Sequence, residues 1–318
     1  MKRKINRVGT STLTVSLPSK WAKQHGLKQG DEVDVAEEDT SISITVGKTK
    51  KTTKKVALRT EGFSTHLMNR VLGELYISGA DEIIINLDSE TIPDYKNGRD
   101  VRVNDYVKKI IHRFIGIEIV YQTPSRIILQ SMLAGEKSEN NDVAQRRAFY
   151  LMKEFFDEFL ACLDEDFETF HGKSYDYHDT VGKFVYYYLR LLLTSDMDCL
   201  KKSKLLSLYN RISGILDKVR HTSEHIAEMK KISGKLKNYL KEIFDFFIEE
   251  FKLVLSKPGA KEIDALIKRR YALVKKIRYE KFTDDEYRVI SECKPMLDTI
   301  NDFAETYFQL NLEEFTVD

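Results

Sequence analysis

The sequence predicts a multidomain α+β protein in three parts: a small N-terminal β unit, a small α/β middle unit and a C-terminal all-α bundle of six helices. Polar and apolar residues alternate from Thr12 to Leu17, as they do in a half-buried strand. Strand-like and helix-like segments then alternate through the middle of the chain. Towards the C-terminus, apolar residues recur every three or four positions, the period of amphipathic helices. The predicted domain boundaries are 1–47, 55–134 and 142–312.

The first unit continues from the alternating strand into a short helix. Pro18 occupies the first-turn position that proline tolerates, so a helix is predicted over residues 19–24. Gly26 is suited to the left-handed conformation that ends a helix. Two further strands are predicted, one beginning at residues 32–35 and one around residues 42–44. The unit is therefore expected to be mainly β-structure.

The charge of the chain is unevenly distributed. The whole sequence has 51 Lys and Arg against 50 Asp and Glu, yet residues 1–60 carry 13 basic and 6 acidic side chains, a net charge of +7. The total of +1 minus +7 leaves residues 61–318 at −6. A local positive end is typical of proteins that bind a polyanion. A solvated basic terminus without a specific partner is the alternative.

Three groups of residues in this unit follow a known order: Arg7-x-Gly9, the run from Leu13 to Pro18, and Gly26-Leu27-Lys28-x-Gly30-Asp31-x-Val33. This order resembles the AbrB/MazE/SpoVT swapped-hairpin family, in which two chains interleave their hairpins into one small β-barrel. The resemblance implies a homodimer that grips double-stranded DNA with basic residues of its N-terminal strands and loops. The DNA-binding residues it implies are Lys2, Arg3, Lys4, Arg7, Thr10, Ser11 and Thr12, with Lys20 and Lys23 as flanking phosphate contacts.

The middle unit is predicted to have the order β-α-β-α-β-β. Its glycines stand singly, with no Gly-rich loop that cradles a phosphate, so no nucleotide site is predicted. A spacer or dimerisation role is favoured over a small-molecule site. The predicted strands and helices cover residues 56–59, 65–78, 82–87, 103–114, 118–121 and 126–129.

Six helices are predicted after a polar break at residues 135–141. The breaks between them are short, one of them at His171-Gly172, which predicts antiparallel packing of neighbours. The predicted helices are 142–169, 174–195, 199–231, 233–256, 260–280 and 283–311.

The six helices are interpreted as two copies of three. Asp217 is followed four residues later by His221, and Asp298 is followed in the same way by Asp302, so that each pair shares a helix face. This plan resembles the PhoU family of phosphate-uptake regulators, whose repeats carry an E/D-x-x-x-D motif that can hold metal ions. An AbrB-like domain ahead of a PhoU-like bundle is associated with archaeal phosphate uptake regulators. The resemblance implies a phosphate transporter or sensor-kinase component as partner.

The metal-binding pattern is incomplete. Carboxylates and imidazoles on neighbouring helices can share Fe, Mn, Zn or Mg. However, Gly182 stands where an acid is expected, and the basic triplet at residues 268–270 would form ion pairs with Asp298 and Asp302. Salt-bridged helix faces are therefore favoured over a metal cluster. The candidate ligands are Asp179, Asp217, His221, His225, Asp298 and Asp302.

Several classes of protein are disfavoured. No apolar run is long enough for a membrane span, the N-terminus has no apolar signal-peptide segment, and the three cysteines have no redox or metal spacing. A cytoplasmic protein without membrane insertion is expected. G-x-S-x-G, HExxH and Walker motifs are missing, so the chain is not expected to be an enzyme. The enzymatic alternative is a metal hydrolase built on Asp217, His221 and His225.

The sequence thus predicts a DNA-binding transcriptional regulator of phosphate uptake and phosphate homeostasis, with a helical bundle that binds a transport or signalling partner. Two alternatives remain. One is an adaptor of a phosphate transporter or kinase that uses the N-terminal barrel only to dimerise. The other is an antitoxin-like regulator, since MazE relatives share the barrel.

Overall fold

The structure, a computed structural model, describes residues 2–38, 41–46, 53–133, 140–164, 167–195, 197–229, 231–256 and 258–312. The chain is α+β and divides into two compact units, Met1–Thr53 and Lys54–Asp318. In the described ranges, no helix is both long and apolar enough to cross a membrane.

The first unit consists of two antiparallel hairpins and a short helix between them. Each hairpin forms its own two-stranded sheet. Gly9 has a φ of 73° at the tip of the first hairpin, a conformation that favours glycine. The first strand was missed in the sequence, and the swapped-hairpin barrel stays a prediction because it requires a second chain. The elements are β1 (Ile5–Val8), β2 (Thr12–Val15), α1 (Ser19–Gln24), β3 (Val33–Glu38) and β4 (Ser41–Val46).

The second unit begins with a four-stranded sheet of order β5-β6-β10-β9, in which β5 and β6 are parallel and the other pairs antiparallel. Alternate residues of β6 and β10 are buried, so one face of the sheet contributes to the core. The β7–β8 hairpin was not predicted. The elements are β5 (Lys55–Arg59), α2 (Thr65–Ile77), β6 (Glu82–Asn86), β7 (Thr91–Asp94), β8 (Arg99–Arg102), α3 (Val103–Ile111), β9 (Ile117–Gln122) and β10 (Arg126–Ser131).

Six long helices follow, as the apolar periodicity predicted. The predicted break at His171-Gly172 was wrong, because α5 runs through it. The exposed Gly172 is tolerated within the helix. Ser174 Oγ donates a hydrogen bond to the carbonyl oxygen of His171 at 2.7 Å, which stabilises the helix at this point. The stretch between the first two predicted domains and the polar break at 135–141 lie largely outside the described residues. The helices are α4 (Asn140–Cys162), α5 (Phe167–Thr194), α6 (Cys199–Glu228), α7 (Gly234–Ser256), α8 (Ala260–Tyr279) and α9 (Asp284–Leu310).

The centre of the helical region is an aromatic cluster. The ring of Phe156 stacks on Phe244 with centroids 4.7 Å apart and meets Phe247 edge-on at 5.1 Å. Phe159 meets the edge of Phe244 at 5.1 Å. These stacked and edge-to-face geometries add to the free energy of burying the rings. The helices of the two predicted halves, α4 and α7, therefore share one core.

Arg190 joins the sheet region to the helices. Its side chain on α5 is almost fully buried, and Nη1 donates hydrogen bonds to the carbonyl oxygens of Tyr76 at 2.7 Å and Ala80 at 3.0 Å. Nη2 lies 3.4 Å from a carboxylate oxygen of Asp81. A buried guanidinium requires such partners. The predicted middle and helical domains therefore belong to one compact unit, and the division of the chain lies at residues 53/54.

Candidate functional site

The nine predicted DNA-binding residues all lie on the surface of the first unit. Lys2, Arg3 and Lys4 precede β1, and Arg7 lies within it. Every one of the nine side chains is exposed, and none of the six basic ones makes an ion pair with a described carboxylate. The positive charges of these six side chains are thus available to an external anion. The other five are in the tip and second strand of the first hairpin and on the short helix: Thr10, Ser11, Thr12, Lys20 and Lys23.

The two hairpins of this unit also expose apolar faces. Ile5 pairs with Val15, and their side chains are 68% and 52% exposed; Leu13, on the same face, is 63% exposed. Arg7 is paired with Leu13 and shares this face towards the hairpin tip. Val35 of β3 is similarly exposed. Isolated two-stranded hairpins are marginal in water, and exposed apolar faces mark interaction surfaces.

The first group of predicted metal ligands forms an ion-pair cluster. Asp179 on α5 lies 2.6 Å from Arg113 Nη2 and 3.2 Å from His178 Nδ1. The other ring nitrogen of His178, Nε2, lies 3.4 Å from Asp217 Oδ1 on α6. His178 thus stands between two carboxylates, and Arg113, which follows α3, completes the cluster. The predicted ligands Asp179 and Asp217 are each next to a cationic side chain.

The electrostatics of this cluster favour its charged forms. Burial alone lowers the pKa of His178, but hydrogen bonds to Asp179 and Asp217 raise it overall. Burial alone raises the pKa of Asp179, whereas the hydrogen bond from His178 and the charge of Arg113 lower it overall. The hydrogen bond from His178 lowers the pKa of Asp217. Because a metal ion needs carboxylates and neutral imidazoles, a protonated His178 opposes metal binding.

The other predicted metal ligands also face cations or stand apart. His221 Nε2 accepts a hydrogen bond from Arg220 Nη2 at 2.6 Å, and Asp298 lies 2.7 Å from Arg270 Nη2. Asp302 pairs with Arg211 of α6. The predicted ion pair to the basic triplet at 268–270 therefore forms at Asp298, but the partner of Asp302 comes from a different helix. His225 is half-buried on α6.

Across the described ranges, no group of three or more His, Cys, Asp or Glu side chains is placed to hold a metal ion. The structure does not bring the six predicted ligands together. The spacing in the sequence placed Asp217 and His221 on one helix face. It did not show that arginines would contact the predicted ligands: Arg113 contacts Asp179, Arg211 contacts Asp302, and Arg220 contacts His221. These arginines have no local motif that marks them.

The comparisons with known proteins concern the first unit. Residues 7–54 match the family model of the MazE antitoxin, described as antidote-toxin recognition, bacterial antitoxin. The match supports the AbrB/MazE part of the resemblance. No curated protein and no solved structure matches the chain. The PhoU part of the resemblance stays a prediction.

Proposed function

We propose that the chain is a DNA-binding transcriptional regulator that acts as a homodimer through its first unit. The observation that carries this proposal is the family match at residues 7–54 on a surface whose basic side chains are exposed and unpaired within the described ranges. Phosphate oxygens of double-stranded DNA are the ligands that such side chains neutralise. No step of this function requires catalysis, so we propose that the chain is not an enzyme.

Dimerisation is supported by the apolar faces of the two hairpins. Ile5, Leu13 and Val15 form one such face, and Val35 belongs to the other. A second copy would cover these apolar side chains and the open strand edges at once, and Arg7 would reach the DNA from the margin of the covered face. A symmetric dimer also presents two copies of the basic residues to the two strands of a duplex. Stability of the first unit is then linked to protein concentration.

The test is the salt dependence of duplex binding. Lys2, Arg3, Lys4 and Arg7 are changed together to Ala in the full chain, and the dissociation constant is measured by fluorescence anisotropy over a range of salt concentrations. Each lost phosphate contact should reduce the log–log slope by about 0.9. The expected result is a shallower slope and weaker binding. The matched control removes four exposed charges of α8 and its C-terminal end: Lys261, Lys268, Arg278 and Lys281 to Ala.

An unchanged slope in the quadruple variant would exclude these residues from the interface. Absence of duplex binding at low salt, with the dimer intact, would instead favour the adaptor of a phosphate transporter or kinase. The control variant should retain the slope of the unmodified chain, because its four changed residues lie on the second unit.

We further propose that the genes regulated serve phosphate uptake and homeostasis and that the helical region binds a transport or sensor-kinase partner. The support is the predicted two-copy plan: α4, α5 and α6 pack in sequence, α7, α8 and α9 do the same, and α4 contacts α7 as α6 contacts α9. Genome-wide recovery of the bound DNA from the host, with and without phosphate, tests this. Recovery of sites unrelated to phosphate genes in both conditions would refute it.

Antitoxin-type regulation is a second candidate, favoured by the description of the matched family. Depletion of the chain in its host distinguishes the two candidates. Loss of an antitoxin arrests growth through the released toxin, whereas loss of a regulator alters transcription without that arrest.

A further inference from the structure

A polar cleft lies where five elements of the second unit meet: α2, the β7–β8 turn, the C-terminal end of α3, α5 and α6. It consists of two adjoining cavities of about 420 Å³ and 620 Å³. Both volumes fall in the range of small-molecule sites, about 300–1,000 Å³. The two cavities share the side chains of His66, Asn69, Lys96, Arg113 and Tyr175.

The lining of the cleft has an excess of positive charge. Five cationic side chains face three carboxylates, those of Asp94, Asp179 and Asp217, so the formal net charge is +2 with both lining histidines counted as neutral. The raised pKa of His178 adds to the positive side. A concave surface with this excess raises the local concentration of anions. The five cations are Arg70, Lys96, Lys109, Arg113 and Arg220.

Tyr175 contacts two of these cations, Lys96 and Arg220, through both its ring and its hydroxyl group. Lys96 Nζ lies 4.5 Å from the centroid of its ring, and the guanidinium carbon of Arg220 lies 4.8 Å from it. Both side chains also donate hydrogen bonds to Tyr175 Oη, at 2.7 Å from Lys96 Nζ and 3.0 Å from Arg220 Nη1. Two like charges are thus concentrated at one phenol oxygen. An anion bound beside them would relieve their mutual repulsion.

The carboxylates of the cleft are engaged internally, whereas part of the positive charge is not. Asp179 is paired with Arg113 and His178, and Asp94 accepts a hydrogen bond from Asn97 Nδ2 at 2.6 Å. The side chains of Arg70 and Lys109 make neither a hydrogen bond nor an ion pair to any described residue. They are exposed at the cleft and available to a ligand.

The start of α2 adds a third source of positive potential. Its N-cap Ser64 and the next residues, Thr65 and His66, line the larger cavity. The first turn of this helix contains no acidic side chain. The N-terminal end of a helix carries a partial positive charge and free N–H groups that favour an anion. This helix end acts here together with the side-chain cations.

We propose that this cleft binds a phosphate-bearing small molecule, with the phosphoryl oxygens held by Arg70, Lys96 and Lys109. An organic phosphate suits the site better than the free ion, because two adjoining cavities of this size leave room for more than one phosphoryl group, and Tyr95 exposes an aromatic ring at the rim. The inference is independent of the DNA-binding proposal, which concerns the first unit. Because the ligand-facing cations come from separate elements, the lack of a Gly-rich loop does not argue against it.

The test is titration of the full chain by isothermal calorimetry at constant ionic strength, with ADP, inorganic phosphate and adenosine as probes. ADP should bind saturably and raise the melting temperature, while adenosine should not. Arg70→Gln with Lys96→Gln should weaken ADP binding about tenfold or more, because two charge-assisted hydrogen bonds are lost. The matched control is Lys108→Gln with Arg146→Gln, which removes the same charge from exposed positions outside the cleft.

The comparison of variants decides the outcome. Binding of ADP that is lost in the cleft variant and kept in the control supports an organic phosphate, and binding of inorganic phosphate with the same loss assigns the site to the free ion. The proposal is overturned if neither ADP nor inorganic phosphate binds, or if binding is weakened equally in the control variant. If the double variant loses its native melting transition, the single change Lys109→Gln, at an exposed position of α3, provides the same comparison.

Discussion

The two units of the chain differ in how they bury apolar surface. In the first unit, no side chain with a described environment is buried, and large aliphatic residues such as Leu13 lie open on the hairpins. In the second unit, dozens of apolar side chains are buried around stacked phenylalanine rings. Because burial is the main source of folding free energy, the second unit can be stable alone, whereas the first exposes the apolar surface that the proposed dimer would cover.

The units also differ in the use of charge. Lys2, Arg3, Lys4 and Arg7 have no carboxylate partner within the described ranges. Three of the predicted metal-ligand carboxylates of the second unit are, by contrast, paired with arginines: Asp179 with Arg113, Asp298 with Arg270, and Asp302 with Arg211. Unpaired surface charge is available to a nucleic acid. Paired carboxylates are not available to a metal ion. The predicted DNA-contacting residues are therefore free to bind an external ligand, whereas the paired metal-ligand candidates are not.

The largest effect should come from the aromatic core of the second unit. Phe156, 1% exposed, packs against Phe244 and Phe247, so Phe156→Ala should lower the free energy of unfolding by about 3–5 kcal/mol. Urea unfolding followed by far-UV circular dichroism measures this. The dimerisation constant should not change. Phe308→Ala, at an exposed position of α9, is the control and should have a much smaller effect. Equal losses in the two variants would contradict the core assignment.

The next effect should appear in association. If Leu13 is buried in a dimer, Leu13→Ala should cost about 1.5–3 kcal/mol per chain, and because a dimer contains two copies, the dissociation constant should rise about 10²- to 10⁴-fold. Sedimentation equilibrium measures the constant, and the unfolding of the helices should be unchanged. Val120→Ala, on an exposed strand position of the second unit, is the matched control. A constant that stays the same in the Leu13 variant would show that this hairpin face is not the dimer contact.

The effect of pH is the smallest for each step of a titration, although it accumulates over several pH units. Burial raises the pKa of Glu250 to about 9, against an ordinary value of 4.5, and the nearby charge of Glu305 adds to the rise. A hydrogen bond from the backbone of Ala304 and the charge of Arg270 lower the pKa but do not offset the effect of burial. The folded state therefore keeps a proton that the unfolded chain releases above pH 4.5. Stability should fall as the pH rises from 4.5 to about 9, by about 1.4 kcal/mol per pH unit, and none of this loss occurs below pH 4.5.

Glu250→Gln should flatten this dependence, because glutamine cannot ionise. Urea unfolding at several pH values checks the slope. The neighbouring Glu249→Gln is the control; its side chain is largely exposed and pairs with Arg269, so it should retain the slope of the unmodified chain. A steep slope that persists in the Glu250→Gln variant would assign the dependence to other groups.

Much of the fold was predictable where local pattern determines structure. The helix at residues 19–24 and the six long helices follow from Pro18 and from apolar periodicity, and the exposed basic residues follow from composition. The failures have local causes. The four-residue strand β1 is too short for a clear alternation, the β7–β8 hairpin contains Pro93, and the His171-Gly172 pair resembles a helix end although packing against α6 continues the helix.

The sequence by itself determined which residues share a helix or hairpin face, because the periods of the two backbone conformations are constant. It therefore placed Asp217 with His221 and the basic residues in one N-terminal segment. Only the tertiary structure decided what lies opposite those faces. Arg113 and Lys96 reach α5 from positions 66 and 79 residues earlier in the chain, and they turn predicted metal ligands into one wall of an anion-binding cleft. Contacts between residues so far apart in the chain depend on how the helices and strands pack, which the spacing of nearby residues does not predict.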